Sequence, residues 1–217
     1  MASAERAPLS RERIAAAALR LGDEEGLGAL SMRKVGASLG VEAMSLYNHV
    51  ANKDDLLDAV GDLLYGEVLN EYTPDPAAAW QDNARHIIAS FYKVASAHPN
   101  MSSVMLDRPI PSVTKLLFLQ ACFDLFVAAG YPTKEAALAF GTVASWMTGF
   151  VHDEQTYMFH LREHGIPFTR EDVPEEFHGA IEFMECCSVW SAEERLEASF
   201  STLLAGWEKE LEENGWA

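Results

Sequence analysis

The first residues whose chemistry suggests a function lie in a short polar segment between residues 43 and 53. This segment is too short and polar for a core helix, and its outward side chains are small or hydrogen-bonding: Ala43, Met44, Ser45, Tyr47, Asn48 and His49. Such groups can approach base edges in the major groove of DNA. Lys53 follows at a helix start, where an ammonium group and backbone N–H groups can hold phosphate together. Arg33, in the preceding helix, could reach a phosphate or a guanine edge. The same spacing also suits a generic small helical bundle.

A second pattern, His160-Leu161-Arg162-Glu163-His164, fits the H-x-x-E-H form of an inverted zinc-protease motif. Two histidines four apart on a helix can share a metal, with His152 or Asp153 as a third ligand. The alternative is a solvated helix end before Gly165. Catalysis also needs a general acid or base in a closed cleft, and the sequence assembles none. We therefore expect no enzyme, no metal and no other cofactor, with metal-responsive regulation through His160 and His164 as the alternative.

Three cysteines, Cys122, Cys186 and Cys187, cannot make a disulfide framework, and their spacing contains no CxxC zinc motif. Reduced thiols fit a cytoplasmic protein best. The adjacent pair Cys186-Cys187 could sense redox change, or could be partly buried hydrophobic residues of a helix. The N-terminus lacks the apolar core of a secretory signal, and the longest nearly apolar stretch, Ala136–Val151, is shorter than the roughly 20 residues of a membrane span. We expect no membrane partner.

The net charge of −17 is distributed unevenly along the chain. Residues 1–55 hold seven basic and eight acidic side chains, whereas residues 56–217 hold nine basic and 25 acidic ones. The first segment is therefore nearly neutral, at −1, and the second carries −16. A strongly negative body repels phosphate and suppresses non-specific DNA binding. Any binding to DNA must therefore depend on a short-range contact surface in the first segment.

Helical periodicity covers almost the whole chain, and strand signals are poor. Ser10, Ser31 and Asn52 are suited to cap helices, and Gly40 suits a turn in which a left-handed backbone is cheap. The predicted helices of the first part are Arg11–Asp23, a short helix after Ser31, Val41–Val50 and a helix from Asn52 to Tyr72. Three short helices with a glycine turn between the second and third describe a helix-turn-helix.

The breaker Thr73-Pro74-Asp75-Pro76 ends the connecting helix. The helices predicted beyond it are Ala77–Ala97, Ser102–Leu106, one from Pro109 to Gly130, Lys134–His164 capped by Thr133, Glu175–Cys187, and a last helix with a Ser191/Glu194 capping box. We therefore expect an all-α protein. Residues 1–55 form a three-helix DNA-binding head, and residues 56–217 form a ligand-binding and dimerisation body that begins with a connecting helix, 56–72.

One stripe of the last helix is apolar: Leu196, Phe200, Leu203, Leu204, Trp207 and Leu211. It faces either the core of the chain or a dimer interface, which could be shared with the core. One short helix reads few bases, so a DNA reader gains from two-fold symmetry. This favours a homodimer through the stripe and the long helix from Lys134.

The sequence of the head resembles that of a known protein family over about 50 ungapped positions. The matching runs are Leu30-Ser31-Met32-Arg33-Lys34-Val35, Leu39-Gly40-Val41, Ser45-Leu46-Tyr47-Asn48-His49-Val50 and Asn52-Lys53-Asp54-Asp55-Leu56-Leu57. They resemble the DNA-binding domain of the tetracycline-repressor (TetR) family, and most of all the subclass of the tetracycline repressors themselves.

The resemblance implies a role for each matching residue. Arg33 and the variable positions Ala43, Met44 and Ser45 correspond to base readers, and Tyr47, His49 and Lys53 correspond to phosphate contacts. Asn48 departs from the aromatic residue common at its position, and Ala43 and Met44 replace more polar readers. The operator therefore differs from that of a tetracycline repressor.

For the body, the resemblance implies helices around a ligand pocket and two helices per subunit in a four-helix dimer interface. The candidate pocket residues are Phe91, Met105, Phe118, Cys122, Trp146, Phe150, Asp153 and Tyr157. Aromatic residues and methionines at helical spacing are also typical of ordinary core. The metal-binding histidine of the tetracycline repressors has no counterpart near Val104 or Met105, which argues against magnesium-tetracycline. We expect a repressor that a small hydrophobic effector releases from double-stranded operator DNA.

Overall fold

The computed structural model describes residues 8–109 and 111–216, and in this part of the chain all regular elements are helices. The all-α expectation is confirmed. The helices are α1 Arg11–Glu25, α2 Met32–Leu39, α3 Ala43–Leu46, α4 Lys53–Glu71, α5 Trp80–Ala97, α6 Ser102–Leu106, α7 Val113–Ala128, α8 Thr133–Gln155, α9 Tyr157–His164, α10 His178–Ser188 and α11 Ala192–Asn214. Among the residues described, no helix combines the length and the hydropathy that crossing a membrane requires.

The chain folds as two compact units. Of the described residues, the first unit comprises 8–74, 86–109 and 111–121, and the second comprises 75–85 and 122–216. In the first unit α1 packs on α2 and α4, α2 packs on α3, and α4 packs on α6. Fully buried side chains fill its core: Ile14, Val35, Leu46, Val50, Leu56, Val60, Leu64, Val68, Met101 and Met105.

The predicted caps are confirmed. The side chains of Ser10, Ser31 and Asn52 accept hydrogen bonds from the first turns of α1, α2 and α4. Both halves of the Ser191/Glu194 capping box are present at the start of α11. Gly40 has φ 68° and ends α2 in the left-handed conformation, as its position predicts. Local hydrogen-bonding chemistry therefore sets where these helices begin and end.

The third helix is shorter than predicted. It covers only Ala43–Leu46 rather than Val41–Val50. The amide of Val41 donates to Gly36 O and completes the turn that ends α2. At the other end, the carboxylate of Asp55 accepts from the amide of Ala51 and draws that residue into the start of α4. Residues at both ends of the segment are therefore hydrogen-bonded to α2 and α4 and do not extend α3.

The single helix predicted from Lys134 to His164 is two helices, α8 and α9, separated at Thr156. Thr156 has φ −119° and ψ −84°, outside the helical range, and its hydroxyl donates to His152 O. A threonine that bonds back to the preceding turn bends a helix. The predicted Thr133 cap is also wrong, because Thr133 is already helical and Pro132 occupies the cap position.

The apolar stripe of α11 lies in the core of the second unit. Leu196, Phe200, Leu204, Trp207 and Leu211 are buried, and Leu203 is half-buried. The Trp207 ring meets Phe126 edge to face at 5.2 Å, and its carbonyl oxygen accepts from the Tyr131 hydroxyl. The core-facing alternative therefore applies, and the prediction that this stripe is the dimer surface is wrong.

Candidate nucleic-acid interface and ligand-binding residues

The helix-turn-helix depends on a close approach between α2 and α3. A Cβ on Gly36 would lie 3.0 Å from Val41 O and 3.2 Å from Ala43 Cα. Both neighbours are backbone atoms, so a larger residue would push α3 away from α2. Leu46 anchors α3 from its inner side, where it is fully buried. Helix α3 is therefore held in place by the close approach of its backbone to α2 and by the buried side chain of Leu46.

The predicted DNA-contacting side chains lie on three consecutive elements and are accessible. Met44 is 74% exposed and Tyr47 is 44% exposed. Arg33, Asn48 and Lys53 are exposed, and Ala43, Ser45 and His49 are half-buried. All eight therefore have surface available for contact, with Arg33 on α2, Lys53 at the start of α4 and the others on or just after α3.

The cations of the head differ in whether they are free to meet phosphate. Arg11 donates to the Asp55 carboxylate at 2.6 Å and to Asp55 O at 3.1 Å, and Lys34 is paired with Glu25. The hydrogen bond from Arg11, with that from the amide of Ala51, holds the pKa of Asp55 below its ordinary value. Within the described part of the chain, Arg33 and Lys53 form no ion pair.

Three predicted ligand-binding residues of the first unit converge on Tyr65. Its ring centroid lies 5.1 Å from that of Phe118 and 6.4 Å from that of Phe91. Its hydroxyl donates to the carbonyl oxygen of Met105 at 3.2 Å. Sequence reasoning missed Tyr65, although it follows Leu57, Val60 and Leu64 on the buried face of α4.

Lys115 completes this aromatic cluster. Its ammonium group lies 5.3 Å from the Tyr65 ring centroid and donates to Arg108 O at 3.2 Å. Burial lowers the pKa of Lys115. A cation over an aromatic ring binds its face electrostatically, so Lys115 holds one side of the Tyr65 ring.

In the second unit, Trp146 and Phe150 line an open cavity of about 550 Å³. Their ring centroids are 5.6 Å apart, and the guanidinium of Arg195 lies 5.7 Å from the Phe150 centroid. The other lining residues are Phe183, Cys186, Cys187, Trp190, Arg195, Ala198, Ser199 and Thr202. Mostly apolar walls with a few polar groups are typical of a small-molecule site.

The remaining predicted ligand residues of the second unit lie apart from this lining. Cys122 is buried, which raises the pKa of its thiol to about 12. Tyr157 is 51% exposed. The carboxylate of Asp153 accepts from Arg195 at 2.7 Å.

The neighbouring Glu154 is a charged side chain that sequence reasoning missed. It is buried, accepts from Arg162 at 2.5 Å, and is also paired with Arg195. Its two arginines compensate the cost of burying its charge and join α8, α9 and α11. The available signal was two adjacent acids in an otherwise apolar helix.

The histidine pattern does not assemble a metal site. The His160 and His164 rings stack with centroids 4.3 Å apart, and His164 Nδ1 is hydrogen-bonded to His160 O. Asp153, one predicted third ligand, is paired with Arg195. Across residues 8–109 and 111–216, no three histidine, cysteine or acidic side chains form a group that could hold a metal.

Two charged contacts join the head to other helices of the first unit. His98, after α5, lies 2.8 Å from Asp23 of α1 and 3.1 Å from Glu67 of α4. Burial lowers the pKa of His98, but the two carboxylates more than offset this and raise it overall. Arg108, after α6, donates to Asp58 at 3.0 Å and to Asp54 at 3.3 Å, both on α4.

Two family models match the chain. The one described as "Bacterial regulatory proteins, tetR family" matches residues 14–60. The one described as "Tetracyclin repressor-like, C-terminal domain" matches residues 73–211. Together they span the helix-turn-helix and most of the helical body.

Curated relatives are similar to the chain at moderate identity. An HTH-type transcriptional regulator of Saccharopolyspora erythraea is 31% identical over 149 residues, which are 69% of this chain and 62% of that protein, less than two thirds of its length. The class D tetracycline repressor protein of Escherichia coli is 26% identical over 205 residues, covering 94% of this chain and 92% of that one.

Solved structures share the fold. Apo ActR from Streptomyces coelicolor superposes with a TM-score of 0.76 at 25% identity, covering 92% of this chain and 95% of that one. ActR in complex with (S)-DNPA superposes with a TM-score of 0.77 at 25% identity, covering 92% and 97%.

Proposed function

This chain belongs to the tetracycline-repressor (TetR) family of transcription regulators, and we propose that it is a dimeric repressor which a small hydrophobic effector releases from operator DNA. The observation that carries the proposal is the exposed surface of α3, flanked by Arg33 and Lys53, which form no ion pair with any residue that the structure describes. Regulators of this family work through binding equilibria, and we infer no catalytic step for this chain.

The head, residues 1–55, supplies the DNA contacts. Arg33, Ala43, Met44, Ser45 and Asn48 face base edges. The phosphates are held by the side chains of Tyr47, His49 and Lys53. Phosphate contacts fix register and orientation, whereas base-edge contacts carry the sequence preference.

The body, residues 56–217, binds the effector. The name of one relative refers to tetracycline, and ActR is solved with (S)-DNPA, which supports a small-molecule effector for this chain. The aromatic cluster at Tyr65 and the apolar walls at Trp146 and Phe150 suit an uncharged or weakly basic aromatic molecule. Asp153 offers such a molecule only a carboxylate already shared with Arg195.

Helix α4 transmits the effector signal as a lever. It begins at the DNA-contacting Lys53 and carries Asp54, Asp58 and Glu67, which are bonded to Arg108 and His98. A displacement of the segments that follow α5 and α6 would therefore reach α4 through the ion pairs of His98 and Arg108. Such a shift would change the separation of two recognition helices, which must span about 34–36 Å of DNA.

The dimer forms through faces of α8 and α11 that the chain leaves open. Gly141 and Gly149 on α8, and Gly206 on α11, have no heavy atom within 4 Å of an added Cβ. Such bare positions allow two helices to approach closely. These two helices correspond to the pair that a four-helix interface requires from each subunit.

Binding to the upstream region of the protein's own gene tests the proposal. We expect a clear preference over random duplex at moderate salt, measured by fluorescence anisotropy. Compounds that raise the melting temperature are then titrated against the complex. A true effector must weaken DNA binding by the same factor by which DNA weakens effector binding. Equal affinity for both duplexes would contradict the DNA-binding role.

A further inference from the structure

The recognition helix presents an apolar side chain where a DNA reader often presents a polar one. Met44 is 74% exposed, whereas Leu46 of the same helix is fully buried. Within the described residues of the head, Met44 and Tyr47 are the large apolar side chains that stand exposed. The exposed tip of α3 is therefore a thioether.

The residues around Met44 differ in the contacts that they can make with a base. Ala43 has no hydrogen-bonding side chain, and Ser45 has a short, half-buried hydroxyl. The long groups that can form paired hydrogen bonds with a purine edge are the exposed Arg33 and Asn48. Met44 itself meets a base mainly through apolar contact, because its thioether sulfur is only a weak hydrogen-bond acceptor.

The position of Met44 is fixed although its side chain is flexible. Gly36 lets α3 lie against α2, and Leu46 fills the core beneath it. A methionine can then adjust its three torsions to the surface it meets. Contact at this position is therefore favourable wherever the groove offers an apolar group.

Thymine is the base that offers such a group, because its C5-methyl projects into the major groove. We propose, resting on the proposed DNA-binding function, that Met44 reads a thymine in each half-site through this methyl. The operator carries an A·T pair at that position. Loss of the methyl weakens binding by about fourfold, the factor that burial of one methylene-sized group is worth at 25 °C.

The test removes single methyl groups from the DNA. An operator is first selected from a random duplex library with the full-length protein, and each thymidine is then replaced in turn by deoxyuridine. We expect about fourfold weaker binding at one position of each half-site for the wild type. Met44→Ala should bind the thymidine and deoxyuridine duplexes equally. The control Arg33→Ala should keep the preference for thymidine, because Arg33 contacts a different group.

Each outcome decides a specific claim. A selection that enriches no sequence overturns the DNA-binding function and this inference together. A specific operator that tolerates deoxyuridine at every position overturns the inference alone. Thymidine preference that persists in Met44→Ala also overturns it, because the methyl then acts through the shape of the duplex or through another residue.

Discussion

At the scale of single residues, the cations of the head differ in whether an acidic side chain already binds them. Arg11 and Lys34 are engaged by Asp55 and Glu25, whereas Arg33 and Lys53 are not paired within the part of the chain described. An ion pair must be broken before its cation can neutralise phosphate. We therefore expect the residues without an ion pair to contribute more to DNA affinity than the paired ones.

Lys53→Ala should weaken binding to all duplexes and reduce the salt dependence by about one phosphate contact, a change in slope of roughly 0.9. Lys34→Ala removes the same charge from a paired position and serves as the control. Affinities between 50 and 200 mM salt, roughly the range over which such slopes are measured, provide the test. Equal slopes for the two variants would show that pairing does not matter.

His98 should make the stability of the protein depend on pH. Its pKa is raised in the folded state, so its charged contacts with Asp23 and Glu67 stabilise the fold fully below the unfolded pKa, about 6.5. This stabilisation is lost as pH rises through the higher folded pKa. Loss of the histidine should cost about 2 kcal/mol at acidic pH, a magnitude typical of hydrogen bonds to charged groups.

Melting temperatures of the wild type and His98→Gln, measured at several pH values between about 5 and 9 to bracket the pKa, check this expectation. The difference between the two proteins should be largest at low pH and should shrink as pH rises. Lys93→Gln removes an exposed cation paired with Glu71 and controls for the loss of a positive charge alone. A difference that stays constant with pH would refute the role of His98.

Among the elements, α3 depends most on its neighbours. Gly36→Ala would place a Cβ 3.0 Å from Val41 O, and overpacking of this kind costs about 1–3 kcal/mol. Operator affinity should fall with it, because α3 is displaced. Gly28→Ala is the matched control, since a Cβ there meets nothing within 4 Å. Thermal unfolding and DNA binding of both variants test this, and an unaffected Gly36→Ala would show that the turn can relax.

Elements whose limits are set locally were predictable from sequence, and those set by distant contacts were not. Four helix starts are recognisable because the side chain of the capping residue accepts a hydrogen bond from the first turn of the helix that follows. These residues are Ser10, Ser31, Asn52 and Ser191. The break at Thr156 had no such signal, since its surroundings are stabilised by the bonds of Glu154 to Arg162 and Arg195.

The same distinction applies to the candidate sites. Apart from Arg33, the predicted DNA-contacting residues occupy one short, recognisable segment, from Ala43 to Lys53. The aromatic cluster joins Tyr65, Phe91 and Phe118 from three helices, and periodicity does not tell which core aromatics meet. Pairing of Asp153 with Arg195 was likewise invisible, because the two residues are separated by 42 positions.

At the scale of the whole molecule, the proposed dimer interface uses the open faces of α8 and α11. Gly206→Leu should convert the dimer to monomer, because the added side chain prevents close approach. Within a single chain, a Cβ at this position meets no atom within 4 Å, and the substitution should gain about 1 kcal/mol of helix propensity. Light scattering measures the mass. Gly179→Leu on α10, also open, is the control. A dimeric Gly206→Leu would place the interface elsewhere.

The anchoring of α3 by Leu46 and by the backbone at Gly36 also makes its outer positions replaceable. The exposed residues Met44 and Asn48 could be randomised together without disturbing the contacts that hold α3. A library of such variants would yield mutually insulated switches for synthetic gene circuits. Each variant would bind a different operator while responding to the same effector. A single added compound could then induce several genes that are controlled by different operators.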